Sequence, residues 1–243
     1  MAKRLLVLLT KKVIIAAALT VCVSTTMKAQ AEFEITPSAD LVSSYVWRGM
    51  YQTGASFQPS LNLSYGAVSL GFWGSTDFAS VGNFDLGIPK EFDITLGLSL
   101  GSLSVALVDY WWAGEGSPYG EYKASHFFEA ALGYSFGSFS LGWNTMLWEA
   151  NGGVDDYEQQ FSTFITAAYD FSVKGVLCSA GIGISPWTGM YHAGDSKGLV
   201  FSTISLKASK EIKLSDSFSL PVFAEAIVAP NQDNAFLVFG ISL

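Results

Sequence analysis

Phe92-Asp93-Ile94-Thr95-Leu96-Gly97-Leu98-Ser99-Leu100 is followed by Gly101-Ser102 and then by another apolar start at Leu103. Phe92, Ile94, Leu96, Leu98 and Leu100 fall on one side of an extended chain; Asp93, Thr95, Gly97 and Ser99 fall on the other. Strict period two reads as a strand with one apolar face. The same pattern returns in Phe128–Phe136 and Phe139–Thr145, joined by Gly137-Ser138. Gly66-Ala67 sits in the same way between 56–65 and 68–77. Gly at the first central position suits a two-residue type II′ hairpin, which needs positive φ there. Such a loop puts its flanking residues on one face. Tyr65 with Val68, Leu100 with Leu103, and Phe136 with Phe139 are then all expected to point outward.

Working outward, the hairpins recur about every 35 residues, a period matching one hairpin. Twelve strands are expected, near 39–51, 56–65, 68–77, 91–100, 103–112, 125–136, 139–148, 159–170, 175–185, 198–209, 218–229 and 234–243. Most reach the roughly 9–11 residues of a tilted membrane-spanning strand, whereas soluble strands centre near 5–6. The connections after strands 2, 4 and 6 are tight, and those after 8 and 10 a few residues longer. The connections at 78–90, 113–124, 149–158 and 186–197 are long and polar. That asymmetry matches short periplasmic turns and long extracellular loops. A soluble sandwich needs its apolar faces to meet each other; a barrel in lipid satisfies its backbone by closing and leaves no edge. The expected fold is all-β, a transmembrane antiparallel up-and-down β-barrel of about 12 strands.

The first residues set the expected compartment. Lys3 and Arg4 precede a mostly apolar Leu5–Val23, and Ala29-Gln30-Ala31 has the small-residue form of a cleavage site. These features describe a secretory signal peptide over 1–31, with the barrel over 32–243. A lipoprotein reading through Cys22 is weaker, because Val21 stands where a small residue is wanted. Five of the thirteen Lys and Arg lie in 1–31, leaving eight against twenty-one Asp and Glu and a net charge of −13. That argues against nucleic acid as a partner, which wants basic stripes. Cys178 is the one cysteine after residue 31, so no intrachain disulfide is expected. No window there offers about 18 consecutive apolar residues, so no helical span is expected.

Parity along the strands places Arg48, Asp93, Glu129, Lys207 and Glu225 inside, as lumen or constriction candidates. Inward placement is the default, because Arg or Lys on the lipid face near the midplane costs about 2–4 kcal/mol. Asp109 has outward parity unless it lies above the membrane or a bulge intervenes. Trp47, Trp111, Trp143 and Trp187 are expected in the girdle at the outer interface, at the later ends of odd-numbered strands. Asp155, Asp156 and Glu158 head an acidic extracellular mouth that would concentrate cations. The 151–158 stretch lacks a known calcium-loop spacing, and two separated His with one Cys do not make a zinc site; no metal or cofactor is expected. Ser125-His126 and His192 carry no serine-hydrolase motif.

The final run, Asn234-Ala235-Phe236-Leu237-Val238-Phe239-Gly240-Ile241-Ser242-Leu243, resembles the terminal assembly signal of outer-membrane proteins, though that signal usually ends in Phe. The resemblance implies the barrel-assembly machinery as a partner. Asp40-Leu41-Val42-Ser43-Ser44-Tyr45-Val46-Trp47-Arg48-Gly49, followed by Phe57-Gln58-Pro59-Ser60 and Gly71-Phe72-Trp73-Gly74-Ser75, resembles the opening of bacterial outer-membrane proteins classed as porins of the TorF type. The likeness covers roughly residues 38–77 and singles out Tyr45, Arg48 and Gly49. The expected function is a narrow passive diffusion channel for small solutes in the bacterial outer membrane, mildly cation-selective and not an enzyme. The alternatives are a structural or adhesive surface barrel with ligand-binding loops and, with less support, a lipid-modifying barrel enzyme.

Overall fold

Gly66, Gly101 and Gly137 adopt φ of +59°, +64° and +61°, while Ala67, Ser102 and Ser138 stay out of that region. This is the type II′ pattern, and it brings Tyr65 opposite Val68, Leu100 opposite Leu103, and Phe136 opposite Phe139. Tyr65, Val68, Phe136 and Phe139 are each about half exposed, as the outward expectation requires. In the computed structural model, residues 32–77, 91–112, 118–151 and 158–243 are described. The signal-peptide reading of residues 1–31 lies outside them.

The hairpins assemble one closed wall of twelve antiparallel strands. In chain order the wall strands are β1 (Phe33–Val42), β4 (Ser56–Tyr65), β5 (Val68–Ser75), β6 (Glu91–Leu100), β7 (Leu103–Trp112), β8 (His126–Phe136), β9 (Phe139–Trp148), β10 (Thr163–Val173), β11 (Val176–Ser185), β12 (Val200–Lys213), β13 (Ser219–Ala229) and β14 (Asn234–Ser242). Each pairs with the next, and β14 returns to β1. A short helix α1 (Tyr122–Ser125) precedes β8, and a 3-10 turn (Pro230–Gln232) joins β13 to β14. Among the described residues no helix is long and apolar enough to cross a membrane, which says nothing of strands.

Two strands stand apart from the wall. β2 (Tyr45–Trp47) and β3 (Met50–Thr53) form their own two-stranded sheet between β1 and β4. The expectation of one strand over 39–51 is therefore corrected. The first wall strand lies earlier, and 45–53 folds back as a hairpin about Arg48 and Gly49, with φ of +51° and +83°. Alternation through 39–51 hides the reversal, because each arm of a hairpin alternates as well as one strand would. Lys174 and Gly175, at φ +49° and +79°, make the β10–β11 connection a two-residue turn, tighter than expected.

Register gives the wall two chemically distinct faces. Leu70, Leu96 and Leu107 lie across one row, and the outward Leu96, Leu107, Leu141 and Leu206 are each about half exposed. The neighbouring row, Ser69, Gly97, Ala106, Ala131 and Asn144, faces inward with small and polar side chains. The closing seam is short. It runs from Asp40–Val42 against Gly240–Ser242, with Leu243 N–H donating to Ala39 O at 2.8 Å and Ser43 N–H to Phe239 O at 2.8 Å. Below it, Pro37 on β1 faces only β4, through Leu61, so its missing N–H costs no ladder bond.

Gly101→Val forces a β-branched residue to φ +64° and is expected to cost about 1–2 kcal/mol. Ser102→Val is expected to be near neutral. Denaturant midpoints of the refolded barrel measure both.

Candidate functional site

The β2–β3 hairpin turns into the lumen, and its base is tied to the wall by short polar side chains. Ser43 Oγ accepts from Phe239 N–H at 2.9 Å, Thr53 Oγ1 and Ser56 Oγ lie 2.7 Å apart, and Ser56 Oγ donates to Gly54 O at 2.8 Å. At the tip, a Cβ on Gly49 would stand 2.6 Å from Ser202 O on β12 and 3.2 Å from Ala229 Cβ. No side chain fits between the turn and that wall, and the positive φ adds a second reason for glycine. Arg48 holds a left-handed conformation that a non-glycine residue adopts at some cost, so its surroundings must fix it.

Those surroundings are a bidentate ion pair inside an aromatic cage. Arg48 Nη1 donates to Glu129 Oε2 at 2.5 Å and Nη2 to Glu129 Oε1 at 2.8 Å. Nη1 also donates to the Tyr191 hydroxyl. Tyr110 OH completes the carboxylate by donating to Oε1 at 3.0 Å. The guanidinium carbon lies 4.5 Å from the Trp47 ring centre, 5.2 Å from Phe164 and 5.3 Å from Tyr191. Side-chain exposure is 11% for Arg48 and 1% for Glu129. Fork-to-fork geometry with every carboxylate oxygen bonded is the arrangement that lets such a pair sit away from water.

Four wall strands and one connection converge on the hairpin here. β8 supplies Glu129, which strand parity turns to the lumen; the register shift beside it falls on β9, where Leu147 is the extra residue. Buried Tyr110, Met146, Phe164 and Tyr191 form the apolar floor. The connection from β11 to β12 supplies Tyr191, and its backbone is pinned by Asn231 Nδ2 to Tyr191 O at 2.7 Å and by Met190 N–H to Ser162 Oγ at 2.7 Å. Burial pushes the Tyr191 hydroxyl above the usual phenol range, so it stays protonated.

The other expected residues fall in several places. Asp93 is buried on the lumen side of β6, and the Tyr45 ring rests 5.5 Å from Trp73. Lys207 and Glu225 oppose each other on β12 and β13, with the ammonium 4.1 Å from the Phe223 ring centre; they are separate from the Arg48 cage. Trp47, expected in the outer girdle, is corrected to the interior, where it packs on Tyr110, Trp112 and Tyr191. Its strand belongs to the inserted hairpin, so wall parity does not apply. Trp143 and Trp187 are partly exposed and 6.2 Å apart, and Trp111 packs on Tyr119. Glu158 is exposed; the Asp155 and Asp156 readings lie outside the described residues.

Asp109 does face outward, and it is bonded rather than bare. His126, fully buried, has Nδ1 2.7 Å from Asp109 Oδ1 and Nε2 2.6 Å from Tyr119 O. Both ring nitrogens are therefore engaged, one by a carboxylate and one by a backbone carbonyl. Tyr122 stacks on the ring at 3.9 Å and closes the site. Ser125 OH donates to Glu121 O at 3.1 Å, and His126 has no free nitrogen to offer it. Both histidines bond to loop backbone, His192 through Gly189 N–H and Gly198 O.

No protein-family model and no curated protein matches this chain.

Removing one partner of the buried pair strands the other. Arg48→Ala and Glu129→Gln are each expected to cost about 3–5 kcal/mol, while Arg48→Met with Glu129→Leu costs less than either single change. Equilibrium unfolding of the four proteins measures this.

Proposed function

We propose that this chain is a bacterial outer-membrane β-barrel acting as a narrow diffusion channel for small solutes, with mild cation preference, whose bore is restricted by the β2–β3 hairpin. The observation that carries this is the polarity of the wall. Outward rows are Leu, Phe, Val and Tyr at about half exposure, and inward rows are Ser, Thr, Asn, Gly and charged residues. Soluble proteins do not present contiguous apolar bands of that extent to water. A closed wall with a greasy exterior suits the hydrocarbon region, where every backbone group must be paired within the protein. Twelve strands lie between the filled eight-stranded barrels and the open 16-stranded ones, which favours a small bore. The likeness of Tyr45, Arg48 and Gly49 to the opening of TorF-type porins supports the same compartment. Glu91, Asp93, Glu129 and Glu225 outnumber Arg48 and Lys207 among these inward charges, which supports a preference for cations.

A second reading has its own observation. Met146, Glu129 and Tyr191 are 1% exposed or less, so the loop end of the lumen is filled at that level. A barrel permanently closed there would serve as a structural or adhesive surface protein.

Planar-bilayer recording separates the two. Small cation-selective steps are expected from the parent protein, with larger and noisier steps once Arg48→Ala and Glu129→Ala release the hairpin. Silence from both proteins, or a reversal potential on the anion side, defeats the channel reading. The membrane itself is tested by Leu206→Arg, expected to cost about 2–4 kcal/mol in lipid vesicles, against the inward neighbour Ser205→Arg, expected to cost far less.

A further inference from the structure

Arg48 balances Glu129, but two other carboxylates in the lumen are left without a counter-charge in the described structure. Glu91 and Asp93 face inward two residues apart on β6 and are 3% and 8% exposed. Glu91 Oε1 and Asp93 Oδ1 are both enclosed and accept no hydrogen bond. Their ladder neighbours are Ser75 and Trp73 on β5, and Trp112 and Tyr110 on β7. Ser75 Oγ, itself 3% exposed, takes a bond from Gln58 Nε2 at 3.4 Å. The Tyr45 hydroxyl, carried in by the hairpin, lies within hydrogen-bonding reach of Glu91. Arg48, the cation of this region among the described residues, is engaged by Glu129 and Tyr191.

Bare buried charge is not tolerated; it is neutralised by a partner cation or by a proton. The donors that converge here are all oxygens, which selects hard cations over the thiolate- and imidazole-loving metals. Among the described residues no three His, Cys, Asp or Glu side chains cluster as a metal-holding group. Two carboxylates do suit a hard divalent ion that keeps part of its water shell.

We propose that Glu91 and Asp93, with Tyr45 closing over them, form a binding site for a partly hydrated divalent cation, Mg²⁺ or Ca²⁺, in the wall of the lumen. The cation supplies a charge that the pair lacks among the described residues and ties the hairpin to β6, two strands along the wall from Glu129 on β8. This binding is independent of whether the barrel conducts, so loss of the channel reading leaves it intact.

Terbium(III) tests it on the full chain refolded in detergent, because Trp73, Trp112 and Tyr45 are placed to sensitise its luminescence. The expected result is a saturable signal that Ca²⁺ displaces, lost at least tenfold in affinity in Glu91→Gln/Asp93→Asn and retained in the exposed-residue control Glu158→Gln. Heat-modifiable migration on gels reports whether each variant is folded. Should the double variant fail to fold, the singles Asp93→Asn and Tyr45→Phe are expected to weaken terbium binding at unchanged migration. A parent protein with no Ca²⁺-displaceable signal assigns the site to protons and overturns the proposal. Equal signals from parent and folded variants assign binding to the loops and overturn it as well.

Discussion

Everything in this molecule follows from a backbone that must satisfy its own hydrogen bonds around a complete circuit. An open sheet of this length would leave two unpaired rims, and a long exposed rim invites pairing with other chains. Closing the circuit removes the rims and forces each strand to present one face out and one face in. The alternation of side chains is therefore a consequence of closure as much as a cause of it. Tight turns such as Gly101-Ser102 keep that alternation in phase from one strand to the next, since a slip of one residue would exchange the faces of a whole strand.

Closure creates a second problem, the space enclosed. Toward the turn end, the inward residues are small, among them Ser69, Gly97 and Ala131. Toward the loop end the chain fills it with its own β2–β3 hairpin. A two-stranded ribbon is marginal by itself, so this one depends on what it touches. Ser43 and Ser56 hold its base, Gly49 lets its tip approach β12, and the Arg48–Glu129 fork joins the tip to β8. Polar and aromatic contacts thus do for the hairpin what ladder pairing does for the wall.

The wall was legible in the sequence and the filling only partly so. Period two, turn glycines and strand length each have a local cause, and the stretch 91–112 shows all three. Asp93 and Glu129 were found because parity is a property of the wall. The first strand was misplaced because 39–51 alternates whether it runs straight or doubles back. Trp47 was assigned to the exterior for the same reason. Tyr110 shares lumen parity on β7 and could have been picked out by it. Tyr191 could not, since a loop carries no periodicity to say where its side chain goes. Which carboxylate Arg48 would find depends on residues 81 positions apart, and no local pattern encodes that.

The short seam has a consequence for how the chain comes to exist. Phe239 and Ser43 are 196 positions apart, and the strands that carry them meet over only a few residues. Hairpins of neighbouring strands can zip early and cheaply, while this last junction must wait for the whole ribbon to curl and carries the full entropy of joining distant ends. The same junction is the weakest stretch of the wall under load, so mechanical or thermal rupture should begin there and travel outward along β1 and β14, in reverse of the order of assembly.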